Sequence, residues 1–396
     1  MRMRTDRSTG MLLVAGMAVL ALVATGCDDG GGGDDVMDVQ DVQDQGTDQG
    51  TDPGSLPDCC GTDRGPEDPG PLDPGPLDPG PCVKTCGDRV CGASNCDGET
   101  CGECTAANTT CDTLKGICVP TCDWPTFKPT ITWGPTGAIS SLTTPADAAV
   151  VKSLCFDYTG DGLGDNGLKG LAGQVNGPLA DAVSGGSIAI LFELAGVTDF
   201  TTTASFQLNG LLGKSTATPA ATTGDFQVQE ASYVTDICTP MIYFEGASIA
   251  DGKLAAGPSM FQLSIPISEG LVIDATLIQA KVKASITAGA TADGFAATDG
   301  VLSGVLTKEQ LEAAIAKLQA SCDAAPANAK PDFCSYLKVA VSAMNLLFDL
   351  HQVIDDQGNL TFVAKTKDLP GDAASVCLSY SLSTAKVVGF EPVVTP

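Results

Sequence analysis

The sequence has 396 residues and a formal net charge of −27, with 48 acidic against 21 basic side chains. A chain this acidic repels the phosphate backbone, so its composition excludes nucleic acid as a partner. Its 17 cysteines are typical of an exported protein that forms disulfides in an oxidising compartment.

Residues 1–26 have the three parts of a secretory signal peptide: basic residues, an apolar run and small residues before a cleavage site. The apolar run covers residues 11–23 and is too short to span a hydrocarbon core of roughly 30 Å. The segment continues as Ala24-Thr25-Gly26-Cys27, which resembles a bacterial lipobox, although alanine replaces the usual leucine at position 24. The resemblance implies that Cys27 is acylated, so that a lipid anchors the protein to the membrane. An ordinary signal peptide followed by an unrelated cysteine is the alternative.

Residues 27–81 read as an acidic tether rich in proline and glycine. Aspartates recur in Asp-Val-Gln and Asp-Gln-Gly-Thr repeats and then in Asp-Pro-Gly-Pro units that start at Asp68, Asp73 and Asp78. Glycine, proline and like charges cannot bury a core, and charge repulsion extends the chain. We therefore expect a disordered spacer.

Residues 82–122 form a short module that is too small to stabilise itself by burial alone. We expect disulfides with open pairing among its nine cysteines, which are Cys82, Cys86, Cys91, Cys96, Cys101, Cys104, Cys111, Cys118 and Cys122. Zinc is the alternative, because one C-x-x-C is present, but the segment has no second such motif and no histidine. The spacing resembles the small cysteine-rich repeats of lipoproteins from Gram-negative bacteria, which implies a surface stalk.

Both tryptophans of the chain, Trp124 and Trp133, follow this module. Exposed aromatic rings can form a platform for a glycan. Large aromatic side chains are more often buried, so we expect these two to pack the stalk against the next domain.

Residues 123–396 predict a mainly β domain, antiparallel and sandwich-like, with a few helices. Strand-like runs lie between turn signals at 187–194, 203–208, 226–234, 241–244, 260–267 and 271–286. In the last run, alternation places Val272, Ile278, Val282 and Ile286 on one face. The dipeptides Asp251-Gly252 and Asp299-Gly300 predict hairpin turns.

Helical spacing interrupts this pattern near 168–184, 307–320 and 332–352. The second helix opens with a capping box, Thr307-Lys-Glu-Gln310. Cys322 and Cys334 flank the connection to the third helix, so a local disulfide between them is our first expectation.

Two stretches resemble an uncharacterised bacterial lipoprotein domain. They are Cys155-Phe-Asp-Tyr-Thr-Gly-Asp-Gly, and Ala374-Ser-Val-Cys377-Leu-Ser-Tyr with Ala385-Lys-Val-Val-Gly389. The resemblance covers roughly residues 150–390 and implies that these stretches are the first and last strands of the domain. It implies no activity.

Catalytic motifs are absent from the sequence. The single histidine, His351, could act as a base with Asp349 or Asp355 to orient it, although a residue at the end of a helix is the simpler interpretation. We therefore expect a non-enzymatic binding or structural ectodomain. The alternative is a surface hydrolase of glycans or peptides that uses carboxylates, for which the scattered candidates are Glu193, Glu245 and Glu269.

One loop has the ligand spacing of a calcium site. Asp157, Thr159, Asp161, the carbonyl of Leu163 and Asp165 resemble the loops of dockerins and thrombospondin-type repeats. Leu168 stands where those loops have a bidentate acid, so the expected cofactor is weakly bound calcium. The alternative is an Asp-Gly turn whose carboxylates accept backbone N–H groups.

These observations together predict an exported, lipid-anchored protein of the bacterial cell envelope. An outer-membrane or cell-surface position is favoured over the inner membrane. Because nothing in the composition suits nucleic acid, the expected ligand is a protein or a glycan.

Overall fold

The computed structural model describes residues 86, 89–93, 100–113, 115–268, 271–289, 291, 293–326, 330, 334, 346–355 and 360–392. The predictions for the signal peptide, Cys27 and the tether lie outside the described residues. So do those for Cys82, Cys96, Glu269 and most of the third helix.

The cysteine-rich segment forms two small hairpins held by disulfides. Strands β1 (Gly92–Ala93) and β2 (Thr100–Gly102) pair with each other, as do β3 (Thr109–Asp112) and β4 (Ile117–Pro120). Disulfides join Cys86 to Cys101, Cys91 to Cys111 and Cys104 to Cys118. This segment and the β-rich domain belong to one compact unit.

Strands dominate the elements that follow, with a few helices among them. In chain order they are α1 (Trp124–Phe127), β5 (Thr136–Thr143), α2 (Ala148–Leu154), α3 (Ala172–Ser184), β6 (Ile190–Ala195), β7 (Thr202–Ser215), β8 (Gly224–Val228), β9 (Tyr233–Val234), β10 (Thr239–Pro240), β11 (Ile242–Ala250), β12 (Lys253–Ser268), β13 (Leu271–Ala288), β14 (Phe295–Thr307), α4 (Lys308–Ala324), β15 (Leu350–Ile354), β16 (Leu360–Ala364) and β17 (Ala373–Phe390).

In the described part of the chain, eight antiparallel strands close into a barrel. Their order is β14, β13, β12, β11, β7, β6, β5 and β17, and β17 pairs back onto β14. Outside this ring, β8 pairs with β17 and β7, and the hairpin β15–β16 pairs with β17. The mainly β, antiparallel fold class is confirmed, and the sandwich-like packing takes the form of a closed barrel.

Large apolar side chains from all eight strands fill the barrel. Phe192, Leu208, Phe244 and Phe295 are completely buried there. The face predicted for residues 187–194 is confirmed, because Ile190, Phe192 and Leu194 belong to this interior core and Ile188 packs against it. Helix α3 adds Val175, Leu179 and Val183 to the same core.

Two structures cover the outer face of β14. Helix α2 places Val151 against Val301, and the disulfide Cys155–Cys377 ties the end of α2 to β17. Beside it, the hairpin β15–β16 packs Leu350 and Phe362 on Val305 together with Tyr158.

The face predicted for residues 271–286 is wrong at Ile278. Val282 and Ile286 lie in the interior core, but Ile278 belongs to the outer cluster around Val305, and Leu277 takes the interior position. The cause is a β-bulge at Gln279, whose φ is +50° and where the pairing register shifts. One extra residue moves every preceding side chain to the opposite face.

Two turn and strand predictions also differ. Asp251-Gly252 forms the expected hairpin turn, with both φ angles positive, whereas Asp299-Gly300 is a bulge inside β14. The run at 226–234 is divided by a 3₁₀ turn, Glu230–Ser232.

The stretch that resembles a first strand is not one. Cys155 caps the end of α2, and β5 is the first strand of the barrel, whereas β17 contains the predicted last strand.

The first two helical predictions are confirmed, whereas the described end of the third, residues 346–352, runs into strand β15, so the prediction is wrong there. Residues 168–184 form a 3₁₀ turn, Gly167–Leu171, followed by α3. Helix α4 begins with the predicted capping box between Thr307 and Gln310. A disulfide joins Cys322 and Cys334, which is the pairing favoured by the sequence.

Candidate functional site

An open groove of about 350 Å³ lies on the outside of the barrel where the cysteine-rich segment meets it. Lys115 supplies one wall from the loop between β3 and β4, and strands β11, β12 and β13 supply the rest. The lining residues are Lys115, Tyr243, Glu245, Pro258, Ser259, Met260 and Gln279.

The groove forms because pairing between β11 and β12 is interrupted. The two strands pair at Ile242 with Phe261 and again from Ser248 with Ala255, and the residues between these points bound the groove. Gly257 has a φ of +99°, and a Cβ atom there would lie 2.3 Å from the Ala280 carbonyl oxygen. Only glycine fits this combination of backbone conformation and close approach, so Gly257 lets β12 lie tightly against β13 beside the groove.

Charge at one end of the groove is neutralised. The Nζ atom of Lys115 lies 2.6 Å from Oε1 of Glu245 and 5.3 Å from the centre of the Tyr243 ring. The hydrogen bond to Glu245 raises the pKa of Lys115, and burial raises the pKa of Tyr243. At neutral pH this end therefore presents the ion pair of Lys115 with Glu245 beside the uncharged phenol of Tyr243.

The Lys115 wall is fixed by a disulfide between the cysteine-rich segment and the barrel. Cys122 is bonded to Cys238, which precedes β10, and the Cys122 N–H donates to the Asp236 carbonyl at 2.8 Å. Lys128 adds an ion pair of 2.8 Å with Glu230. The position of Lys115 is thus coupled to that of the barrel.

The two tryptophans lie at this junction, as expected from their sequence position. Trp124 is buried, with its ring centre 5.1 Å from Tyr233 and 5.7 Å from Phe390, and its indole N–H donates to Glu230. The ring centres of Trp133 and Phe390 are 5.4 Å apart. The prediction that the two rings pack against the domain is confirmed, and the packing partners are Tyr233 and Phe390; packing of the stalk itself by these rings stays a prediction.

The opposite wall of the groove is the bulge at Gln279. Its backbone carbonyl accepts a hydrogen bond of 3.1 Å from the Tyr158 hydroxyl, and its side-chain amide donates to the Leu360 carbonyl at 2.7 Å. Apart from Glu245, sequence reasoning missed the groove residues, although the isolated glycines Gly246 and Gly257 inside strand patterns are the signal that could have indicated a bulge.

The two candidate catalytic carboxylates that the structure describes, Glu193 and Glu245, are held apart. Glu193 is only 3% exposed; its Oε1 accepts from the Gly134 N–H at 2.8 Å, and its Oε2 accepts from the Asn209 amide at 2.6 Å. Burial raises the pKa of Glu193. Glu245 stands two strands away in the ion pair with Lys115. Glu193 therefore fixes backbone and side-chain donors, whereas Glu245 lines the groove.

His351 does not end a helix, because it lies in β15. Its Nδ1 atom is 3.2 Å from Oδ2 of Asp372 and 2.9 Å from the Pro370 carbonyl oxygen. Asp349, proposed as its partner, instead accepts hydrogen bonds from the hydroxyl and the N–H of Ser375. Burial raises the pKa of Asp349. The strand pairing of β15 and β16 overrides the helical pattern here.

The proposed calcium loop directs its carboxylates at backbone N–H groups. Asp157 accepts from Gly160 and Gly162 at 2.6 and 2.7 Å, and Asp165 accepts from Tyr158 at 2.7 Å. Asp161 accepts from Leu163 at 2.8 Å, and the Thr159 hydroxyl bonds Asp157 at 3.3 Å. Burial raises the pKa of Asp165, and the negative charges of Asp157 and Asp161 raise it further. These contacts are those of a turn, and calcium binding stays a prediction.

Among the described residues, the one cluster of three side chains with metal-ligand spacing consists of Cys91, Cys104 and Cys118. All three sulfurs are in disulfides. A disulfide sulfur is not the thiolate that zinc requires.

Comparison of the chain with protein-family models, curated proteins and solved structures finds no match. Within the described residues, no helix combines the length and apolar character needed to cross a membrane.

Proposed function

We propose that this protein is an exported, lipid-anchored binding protein of the cell envelope, at the outer membrane or cell surface. In this proposal Cys27 carries the lipid, residues 27–81 form the spacer and the groove beside Lys115 holds the ligand. The groove is the observation that carries the proposal, because the interior of the barrel is filled by side chains.

The lining of the groove supports recognition of a polar ligand. The Ser259 hydroxyl donates to the Tyr243 carbonyl at 2.7 Å and retains acceptor lone pairs. It lines the groove with the carboxylate of Glu245 and the amide of Gln279, beside the apolar surfaces of Pro258 and Met260. A few polar groups that fix orientation next to apolar contacts are the usual composition of a binding site. A non-enzymatic role follows as part of the proposal, since the sequence offers no nucleophile motif and the carboxylates are held apart.

The experiment uses residues 28–396 exported behind a cleavable signal. Binding to arrays of oligosaccharides and peptides is measured for this protein and for Met260→Trp, which fills the groove. Val388→Trp is the matched control, because Val388 is 48% exposed on β17 and does not line the groove.

We expect saturable binding that Met260→Trp weakens and Val388→Trp leaves unchanged. Binding that survives Met260→Trp would place the ligand elsewhere. Turnover of an array member would instead favour the carboxylate hydrolase.

A further inference from the structure

Two lysines continue the outer surface of β13 immediately beyond the groove. Lys281 and Lys283 follow Gln279 at alternate positions, opposite Ser303 and Val301 of β14. Alternate residues of a strand face the same side about 6.6 Å apart. Both ammonium groups therefore lie on the side of the barrel that carries the groove.

Aromatic rings hold these two lysines in place. The Nζ atom of Lys281 is 5.0 Å from the centre of the Tyr158 ring, and that of Lys283 is 4.8 Å from the centre of the Phe156 ring. Such cation–π contacts restrict the side chains without neutralising their charge. These contacts bias the positions of the two charges before any ligand arrives.

Within the described part of the chain, neither Lys281 nor Lys283 forms an ion pair. The net charge of the chain is −27, and five other described lysines do form ion pairs, namely Lys115, Lys128, Lys214, Lys308 and Lys386. Burial lowers the pKa of Lys283, as expected for an ammonium group that loses water without gaining an anion. A bound anion would reverse that loss.

Lys281 is linked to the groove through Tyr158. The Tyr158 hydroxyl donates to the backbone carbonyl of Gln279, which lines the groove, while the ring of Tyr158 supports Lys281. At the other wall, Glu245 already neutralises Lys115. The uncompensated positive charge is therefore confined to the β13 side of the site.

We infer that the ligand of the groove is an acidic glycan whose carboxylate groups contact Lys281 and Lys283. This inference rests on the proposed function and names its ligand. A sugar ring has polar edges and an apolar face, which match the hydroxyl and amide groups of Ser259 and Gln279 and the apolar surface of Met260. The fixed lysines supply the selectivity for the acidic sugar.

The test measures binding of a galacturonic acid tetrasaccharide and of the neutral galactose tetrasaccharide to residues 28–396 by calorimetry at low salt. We expect Lys281→Gln/Lys283→Gln to raise the Kd for the acidic sugar about tenfold, since two partly exposed charge contacts contribute roughly 1.4 kcal/mol together. Lys281→Arg/Lys283→Arg should retain most of the affinity, because arginine keeps both charges.

The matched control is Lys365→Gln/Lys367→Gln, which removes two exposed lysines with the same spacing and should leave the Kd unchanged. If both double variants raise the Kd equally, the effect comes from the change in net charge and not from a contact with these two lysines, and the inference is overturned. Failure of the acidic sugar to bind would overturn it as well.

If the neutral tetrasaccharide binds as tightly as the acidic one, and Met260→Trp abolishes that binding, the inference would be overturned while the proposed function stays intact. A tetraglutamate peptide is the last arm, and tighter binding of this peptide than of the acidic sugar would assign the site to an acidic peptide instead.

Discussion

Glu193 is a buried carboxylate whose bonds join three parts of the molecule: the loop before β5, β6 and β7. Replacement by alanine would leave the Gly134 N–H and the Asn209 amide without their acceptor, which should lower the free energy of unfolding by about 2–4 kcal/mol. Glu193→Gln keeps an acceptor for one of them and should cost less. Urea denaturation of both variants measures the difference, and equal losses would contradict the assigned bonds.

The same residue predicts a pH dependence. Burial places the pKa of Glu193 above its ordinary value, so the folded state binds more protons than the unfolded state between those two values. Its contribution to stability is therefore greatest below the ordinary carboxyl pKa and falls as pH rises through the raised pKa. We expect Glu193→Gln to flatten the Tm against pH curve in that window. An unchanged curve would show that other groups govern it.

At Gly300 there is no room for a side chain, so adding one should destabilise the protein. A Cβ atom there would lie 2.5 Å from the ring of Tyr380, which is buried inside the barrel. Gly300→Ala should therefore lower the free energy of unfolding by about 1–3 kcal/mol. The control is Gly173→Ala in α3, where a Cβ atom would meet nothing within 4 Å. This substitution should stabilise the protein by about 0.4–1 kcal/mol. Thermal melting that fails to separate the two variants would refute this packing argument.

At the scale of elements, the loop from Asp157 to Asp165 allows a direct test of calcium. If calcium binds, about 5 mM should raise the Tm relative to chelator, because only the folded loop gathers the ligands. Asp161→Asn should reduce the shift. Identical melting curves with calcium and chelator would leave the observed turn as the complete description of this loop.

The disulfide Cys122–Cys238 should control how firmly the cysteine-rich segment is held. In Cys122→Ser/Cys238→Ser we expect local opening of β3 and β4 to become easier by about 2–4 kcal/mol, measured as faster amide hydrogen exchange. The barrel core should keep its protection. Cys322→Ser/Cys334→Ser is the control, because that disulfide closes a separate loop after α4. Uniformly faster exchange in the first variant would mean that the barrel depends on this bond too.

Local rules account for the elements that the sequence predicted correctly. The capping box at Thr307 and the alternation around Phe192 depend on residues close together in the chain. The bulges at Gln279 and Asp299 escaped prediction because a single extra residue leaves the alternation on each side intact. The groove escaped for a related reason, since it arises where two otherwise regular strands separate at Gly257. His351 was assigned to a helix because β15 has no alternation strong enough to oppose the helical pattern.

For the whole molecule, the proposed anchor rests on Cys27. Radiolabelled palmitate should enter the wild-type protein and should not enter Cys27→Ala, because only the thiol of that residue follows the lipobox-like sequence. Label retained by the variant would contradict acylation at Cys27. Fractionation of the same cells tests attachment to the outer membrane.

Closure of the ring was beyond the reach of sequence patterns. Alternation predicts that a strand has a buried face but does not say which strand lies beside it. The pairing of β17 with β5 and β14 joins segments that are far apart in the sequence, and no local signal encodes it.

That pairing has a consequence for biogenesis. β17 completes the ring, gives β8 its parallel neighbour and carries Cys377 to the disulfide with Cys155. If the protein is exported as proposed, the earlier strands cross the membrane before the partner that closes them is available. Native contacts of such long sequence separation form slowly. An unfinished barrel exposes open strand edges, so under the proposed export a chaperone that shields the emerging chain would protect it until the 18-residue strand β17 arrives.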